Sequence, residues 1–160
     1  MMRMLLIGCL LLLSACASQP PLPEKTPALA LPLQLHVQRL ADGQSQDWLL
    51  VIQRESGGIR WSMMDPLGIP QARQKLIDGE WQADGLLPPN PQARELFAAL
   101  LFALTSADDV RALYPSAQAM DLTRTLPGYW QIVYQSSEVF SVNMAGQPLS
   151  YRITPLGAAR

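Results

Sequence analysis

Cysteine and histidine are almost missing from this chain. Its 160 residues hold two cysteines, Cys9 and Cys16, and a single histidine, His36. No Cys/His/Asp cluster has the spacing of a metal site, so no metal and no separate cofactor are expected. No G-x-S-x-G elbow occurs, and no histidine follows any candidate nucleophilic serine. Gly57-Gly58 opens no helix, so it reads as a turn and not as a phosphate cradle. An excess of one charge is also lacking: 12 Lys and Arg stand against 13 Asp and Glu. With no basic cluster, nucleic acid is excluded as a partner. Asp65, Asp78, Glu80 and Asp84 lie beside glycine or proline, where aspartate serves turns. His36 falls on the polar side of a predicted strand, the usual setting of a solvated histidine. The chain is therefore read as non-enzymatic, although no sequence argument removes a hydrolase built on paired carboxylates.

Long hydrophobic runs are scarce too. The one present, Met4 to Leu13, is too short to span a bilayer, which takes about 20 apolar residues. Arg3 precedes it and the small residues Ser14 and Ala15 follow, the layout of a secretory signal peptide. Leu13-Ser14-Ala15-Cys16 then resembles the lipobox of bacterial lipoprotein precursors. The bare alternative is an ordinary secretory peptide that happens to hold a cysteine. The resemblance implies cleavage before Cys16, a diacylglycerol on its thiol and an acyl chain on its new amino group. One acyl chain holds a protein only marginally, whereas two or three make attachment effectively permanent. Ala17, in place of the aspartate that signals inner-membrane retention, implies sorting to the outer membrane with the domain facing the periplasm. It also implies the lipoprotein sorting machinery as a partner. Residues 1–15 are then a discarded leader. Losing Arg3 leaves 11 basic against 13 acidic residues, a charge of −2. With Cys9 removed and Cys16 acylated, the domain has no disulfide and no thiolate chemistry.

Residues 16–32 contain Pro20, Pro21, Pro23, Pro27 and Pro32. Proline fixes φ and removes donors, so an extended tether is expected, reaching up to roughly 50 Å at 3.1 Å per residue. Residues 33–160 are expected to fold as one domain. Alternation of apolar and polar residues predicts strands near 33–40, 48–52, 59–63, 69–77 and 80–86. Turns are expected at 41–45, 56–58, 65–68 and 78–79. Asn90-Pro91 then caps and opens a helix, 91–104, whose apolar residues cover every side. Two uses fit it: a buried core helix, or one lining or closing an apolar cavity. Ser106-Ala107-Asp108-Asp109 starts a second helix, 107–114, stopped by Pro115. Strands return at 128–134, 138–144 and 149–153. Trp48, Trp61, Trp81 and Trp130 fall in predicted strands, where core packing and carbohydrate stacking both suit them.

The order of these pieces carries a second resemblance. Met64-Asp65-Pro66-Leu67-Gly68, the helix opened by Asn90-Pro91 and the closing Leu149-Ser150-Tyr151-Arg152-Ile153 resemble an uncharacterised family of bacterial lipoproteins encoded near aryl polyene synthesis genes. The layout is also similar to the outer-membrane lipoprotein receptor LolB. That likeness implies an α+β fold: a curved antiparallel half-barrel sheet, LolA/LolB-like, with two helices against its concave face. It also implies an apolar cavity that accepts acyl chains and an exposed leucine after the third strand. Leu67 is the matching position, expected either to protrude toward a membrane or an acyl chain or to fold back on the sheet. The expected cavity contacts are Trp48, Leu50, Trp61, Met63, Leu96, Phe97, Leu100 and Leu101. The function so implied is acyl-chain or lipidic-product binding by a monomer, with a structural or adaptor lipoprotein as the alternative.

Overall fold

The computed structural model describes residues 19–157. The leader, the cleavage point, Cys16 and Ala17 lie outside them. The described residues form one ten-stranded antiparallel sheet and two helices, an α+β arrangement with a curved, open sheet. The strands are β1 (Leu33–Ala41), β2 (Gln44–Glu55), β3 (Gly58–Met64), β4 (Pro70–Ile77) and β5 (Glu80–Ala83), then β6 (Gln118–Met120), β7 (Thr123–Leu126), β8 (Trp130–Tyr134), β9 (Phe140–Met144) and β10 (Leu149–Pro155). Helices α1 (Pro91–Leu104) and α2 (Ala107–Leu113) lie between β5 and β6 in the chain. Strand order is β5-β4-β3-β2-β1-β10-β9-β8-β7-β6. Two meanders thus meet where β1 pairs with β10, from Leu35↔Pro155 to Ala41↔Leu149.

Turn chemistry explains the meanders. Asp42-Gly43 and Asp78-Gly79 each place two successive residues at positive φ (52° and 72°; 49° and 78°). That is the primed two-residue turn whose twist matches a hairpin. These pairs join Ala41 to Gln44 and Ile77 to Glu80.

Alternation sets the faces. Leu35, Val37, Leu50, Ile52, Ile59, Trp61, Met63 and Leu76 of one meander point inward, as do Trp130, Ile132, Phe140, Val142, Tyr151 and Ile153 of the other. Helix α1 occupies the space they enclose. Its seven residues from Leu96 to Phe102 have no exposed surface. Phe97 meets Trp61 (ring centroids 5.4 Å) and Trp81 (5.9 Å), while Phe102 meets Trp130 (5.9 Å) and Tyr114 (4.9 Å). Five residues apart, the two rings point about 140° from one another around the helix, so the two meanders grip it from different sides.

Three expectations are corrected. The predicted strand 80–86 ends at Ala83, because Gly85 and the prolines at 88 and 89 cannot continue the ladder. Strands β6 and β7 were not anticipated. Strand β6 is exposed throughout, and β7 puts Arg124 where alternation calls for an apolar residue. The Pro-rich stretch makes no ladder of its own, as proline dictates, but its described part is not a free spacer. Pro23, Pro27 and Leu29 are buried, and Leu22 and Leu31 pack against the core. Removing those apolar side chains from water outweighs the freedom of an unattached tether.

Candidate functional site: the Leu67 turn and the interior behind α1

The β3–β4 turn is built by Asp65. Its Oδ1 accepts hydrogen bonds from the amides of Leu67 and Ile69, each 2.9 Å. The Gly68 amide donates to the Asp65 carbonyl (2.9 Å), and the Asp65 amide donates to the Ile69 carbonyl (3.0 Å). Every bond closes the loop on itself, and none draws Leu67 inward. Leu67 is 85% exposed and Ile69 54%. The leucine therefore protrudes instead of folding back on the sheet.

The eight residues expected to line a cavity are brought together on one side of the sheet and on α1. Leu50, Trp61, Met63, Leu96, Phe97, Leu100 and Leu101 belong to one continuous core, each 0–3% exposed. Trp48 is half-buried and packs at the edge of that core, 6.4 Å from the Tyr151 ring. Side chains of sheet and helix fill the space between them. Clefts open elsewhere. One of about 490 Å³ lies at the N-terminus of α1, between Gln19, Pro20, Pro89, Pro91 and Tyr129. Another, about 460 Å³, lies at its C-terminus, between Thr105, Leu122, Arg124, Tyr134 and Ser136. A third, about 310 Å³, lies on the outer face beside the Leu67 turn, among Gln53, Arg60, Ser62, Met64 and Arg73. The expected open hydrocarbon space is thus occupied by α1 itself. The buried-core-helix reading describes this state.

What holds α1 there is a pair of unlike caps. At the N-terminus, Asn90 Oδ1 accepts from the Ala93 amide (3.0 Å), and Asn90 Nδ2 donates to the Gln71 carbonyl (3.3 Å). At the C-terminus, Arg124 Nη1 donates to the carbonyls of Phe102 (2.9 Å) and Thr105 (2.7 Å). Tyr134 donates its hydroxyl to Ala103 O (2.8 Å). Arg124 is 9% exposed, with its guanidinium 5.7 Å from the Phe102 ring centroid and 5.5 Å from that of Tyr134. A cation among carbonyls suits the negative end of the helix dipole. Burial raises the Tyr134 pKa from 10.0 against the opposing pull of Arg124, which keeps the phenol a donor.

Polar groups on the outer face do different work. Glu55 bridges Arg60 and Lys75, and Asp84 bridges Arg60 and Arg73. Partial burial acts to raise both carboxyls. Gln53 and Lys75 bonded to Glu55, Arg60 and Arg73 bonded to Asp84, and the neighbouring positive charges overcome it, so both pKa values fall below the usual range. His36 Nε2 lies 2.8 Å from Asp47 Oδ1, and Thr154 Oγ1 lies 3.4 Å from His36 Nδ1. The order Asp-His-Thr has the connectivity of a nucleophile relay. It arises from cross-strand neighbours, since His36 pairs with Thr154 in the β1–β10 register. Amides of paired strands are already committed to the ladder, so they offer no oxyanion hole. Among the described residues, no group of three or more His, Cys, Asp or Glu is arranged to hold a metal ion. No described helix is long and apolar enough to cross a membrane.

A comparison with protein-family models finds no match for this chain. A comparison with curated proteins finds none either.

Proposed function

We propose that this chain is an outer-membrane-anchored, non-enzymatic lipoprotein that takes up acyl chains or a lipidic product at the periplasmic face, Leu67 making the first contact. The observation that carries this reading is the turn itself. A leucine 85% exposed is held out by four hydrogen bonds, none of which needs a leucine side chain. The likeness in layout to LolB, noted from the sequence, agrees with it. With α1 seated, the receiving surface is closed, so uptake requires α1 to swing away from Leu50, Trp61 and Met63. A chain of about 14 methylenes leaving water gains roughly 11 kcal/mol before ordering costs. That is the scale needed to compete with the helix's own apolar contacts.

The packed interior favours a second reading, a closed adaptor lipoprotein that docks a protein partner on its surface. Mass spectrometry of an organic extract of the purified protein separates the two, together with titration of a fluorescent acyl probe. Co-purified lipid and saturable uptake support the carrier. No uptake by a folded domain leaves the adaptor. In the carrier, Leu67→Glu changes stability by less than about 0.5 kcal/mol and weakens transfer to vesicles several-fold. Unchanged transfer removes the turn from the mechanism.

A further inference from the structure

We infer that residues 19–31 are a strap that fixes the membrane anchor at the Leu67 end of the sheet, so that the domain works on the lipid surface to which it is itself attached. This rests on the reading of Cys16 as the lipidated residue. The strap is pressed on the domain along its length. A Cβ built on Gly79, in the β4–β5 turn at the other end of β4 from Leu67, would lie 3.4 Å from the Pro23 carbonyl oxygen and 3.5 Å from that of Glu24. Leu29 is 8% exposed, and Leu22 and Leu31 pack against the same core.

The start of the strap decides the orientation. Gln19 and Pro20 share a cleft with Pro89, Pro91 and Tyr129 at the N-terminal end of α1. Asn90, between those two prolines, bonds the Gln71 carbonyl, and Gln71 follows Pro70 directly out of the Leu67 turn. Running back from Pro23 toward Cys16, the strap therefore heads from the Gly79 end toward the end that holds the α1 N-terminus and the protruding turn. That end also exposes Ile69 (54%), Leu86 (104%) and Tyr129 (39%). Cys16 stands three residues before Gln19. Three extended residues reach at most about 10 Å. A second exposed apolar group, Met120 and Leu122, sits on the β6–β7 hairpin, at the other end of β8 from Tyr129. The partner of the Leu67 face is accordingly a lipid bilayer, in cis to the anchor.

The experiment uses the full acylated protein in phosphatidylethanolamine/phosphatidylglycerol vesicles containing brominated lipid. A fluorophore is placed at Pro66→Cys or, separately, at Asp121→Cys. Strong quenching at 66 and little at 121 is the expected result. Equal quenching, or more at 121, overturns the orientation. Ten Gly/Ser residues inserted between Ala17 and Gln19 then lengthen the leash. Quenching at 66 should fall at least threefold while the protein still floats with the vesicles; undiminished quenching overturns the strap. Failure to float, with no acyl mass on Cys16, refutes the anchor reading separately, and the strap proposal with it.

Discussion

The two ends of α1 are secured by different kinds of neighbour. The N-terminal cap is mainly local: Asn90 accepts from an amide three residues on and Pro91 supplies a helical φ, with one outside bond from Asn90 Nδ2 to the Gln71 carbonyl. The C-terminal cap adds remote groups to the local Thr105, whose amide (3.1 Å) and hydroxyl (2.7 Å) both donate to Leu101 O. Arg124 and Tyr134 come from β7 and β8, roughly 20 and 30 residues later in the chain. The first makes α1 form where it does. The second makes its docking conditional on the far meander: Leu101 O is met locally by the Thr105 amide and hydroxyl, but the Phe102 and Ala103 carbonyls are met by side chains of β7 and β8. A helix that must be held, and on the carrier reading must also be released, is fixed locally at one end and latched from a distance at the other.

Substitutions sharpen this contrast in order of size. Arg124→Ala strands buried helix carbonyls and should cost about 3 kcal/mol in urea unfolding. A loss under about 1 kcal/mol would mean that water replaces the guanidinium and that the latch is not one. Tyr134→Phe removes one hydrogen bond and should cost about 1 kcal/mol. It should be non-additive with Arg124→Ala, since the two side chains serve adjacent carbonyls and contact one another. Asn90→Ala should also cost about 1 kcal/mol, but additively with Tyr134→Phe across the length of the helix. Coupling between those two would show that the ends are not independent. Acid tests a region that neither cap uses. Folded-state carboxyls below their usual range stabilise above the unfolded value and lose that contribution as pH falls through the folded one. Melting temperature should therefore drop on acidification toward pH 3, and less steeply in Asp84→Asn, whose link to Arg60 and Arg73 no longer titrates.

Legibility in the sequence follows the same divide. Elements stabilised by near neighbours could be read: α1 begins and ends where Asn90-Pro91 and the apolar run place it, and the Asp42-Gly43 and Asp78-Gly79 turns lie where glycine and aspartate suggest. The grouping of Leu50, Trp61 and Met63 on one face also follows from alternation. What escaped reading depends on distant partners. An arginine alternating with threonines in Thr123–Leu126 looks like an exposed loop, and only the carbonyls of α1 make it a buried strand residue. The choice between a filled interior and an open cavity stayed open for the same reason. Periodicity shows that α1 is apolar all round, but whether the sheet curls tightly enough to seal it depends on pairings between the two meanders.

The junction of β1 with β10 has a consequence for synthesis. Among the described residues β1 is the first strand made and β10 the last, yet they lie side by side at the centre of the sheet. Until β10 emerges, each meander has a bare inner edge and a half-open interior, a state prone to wrong pairing. Closure of the central seam therefore waits on the final strand, and neither meander is sealed before it.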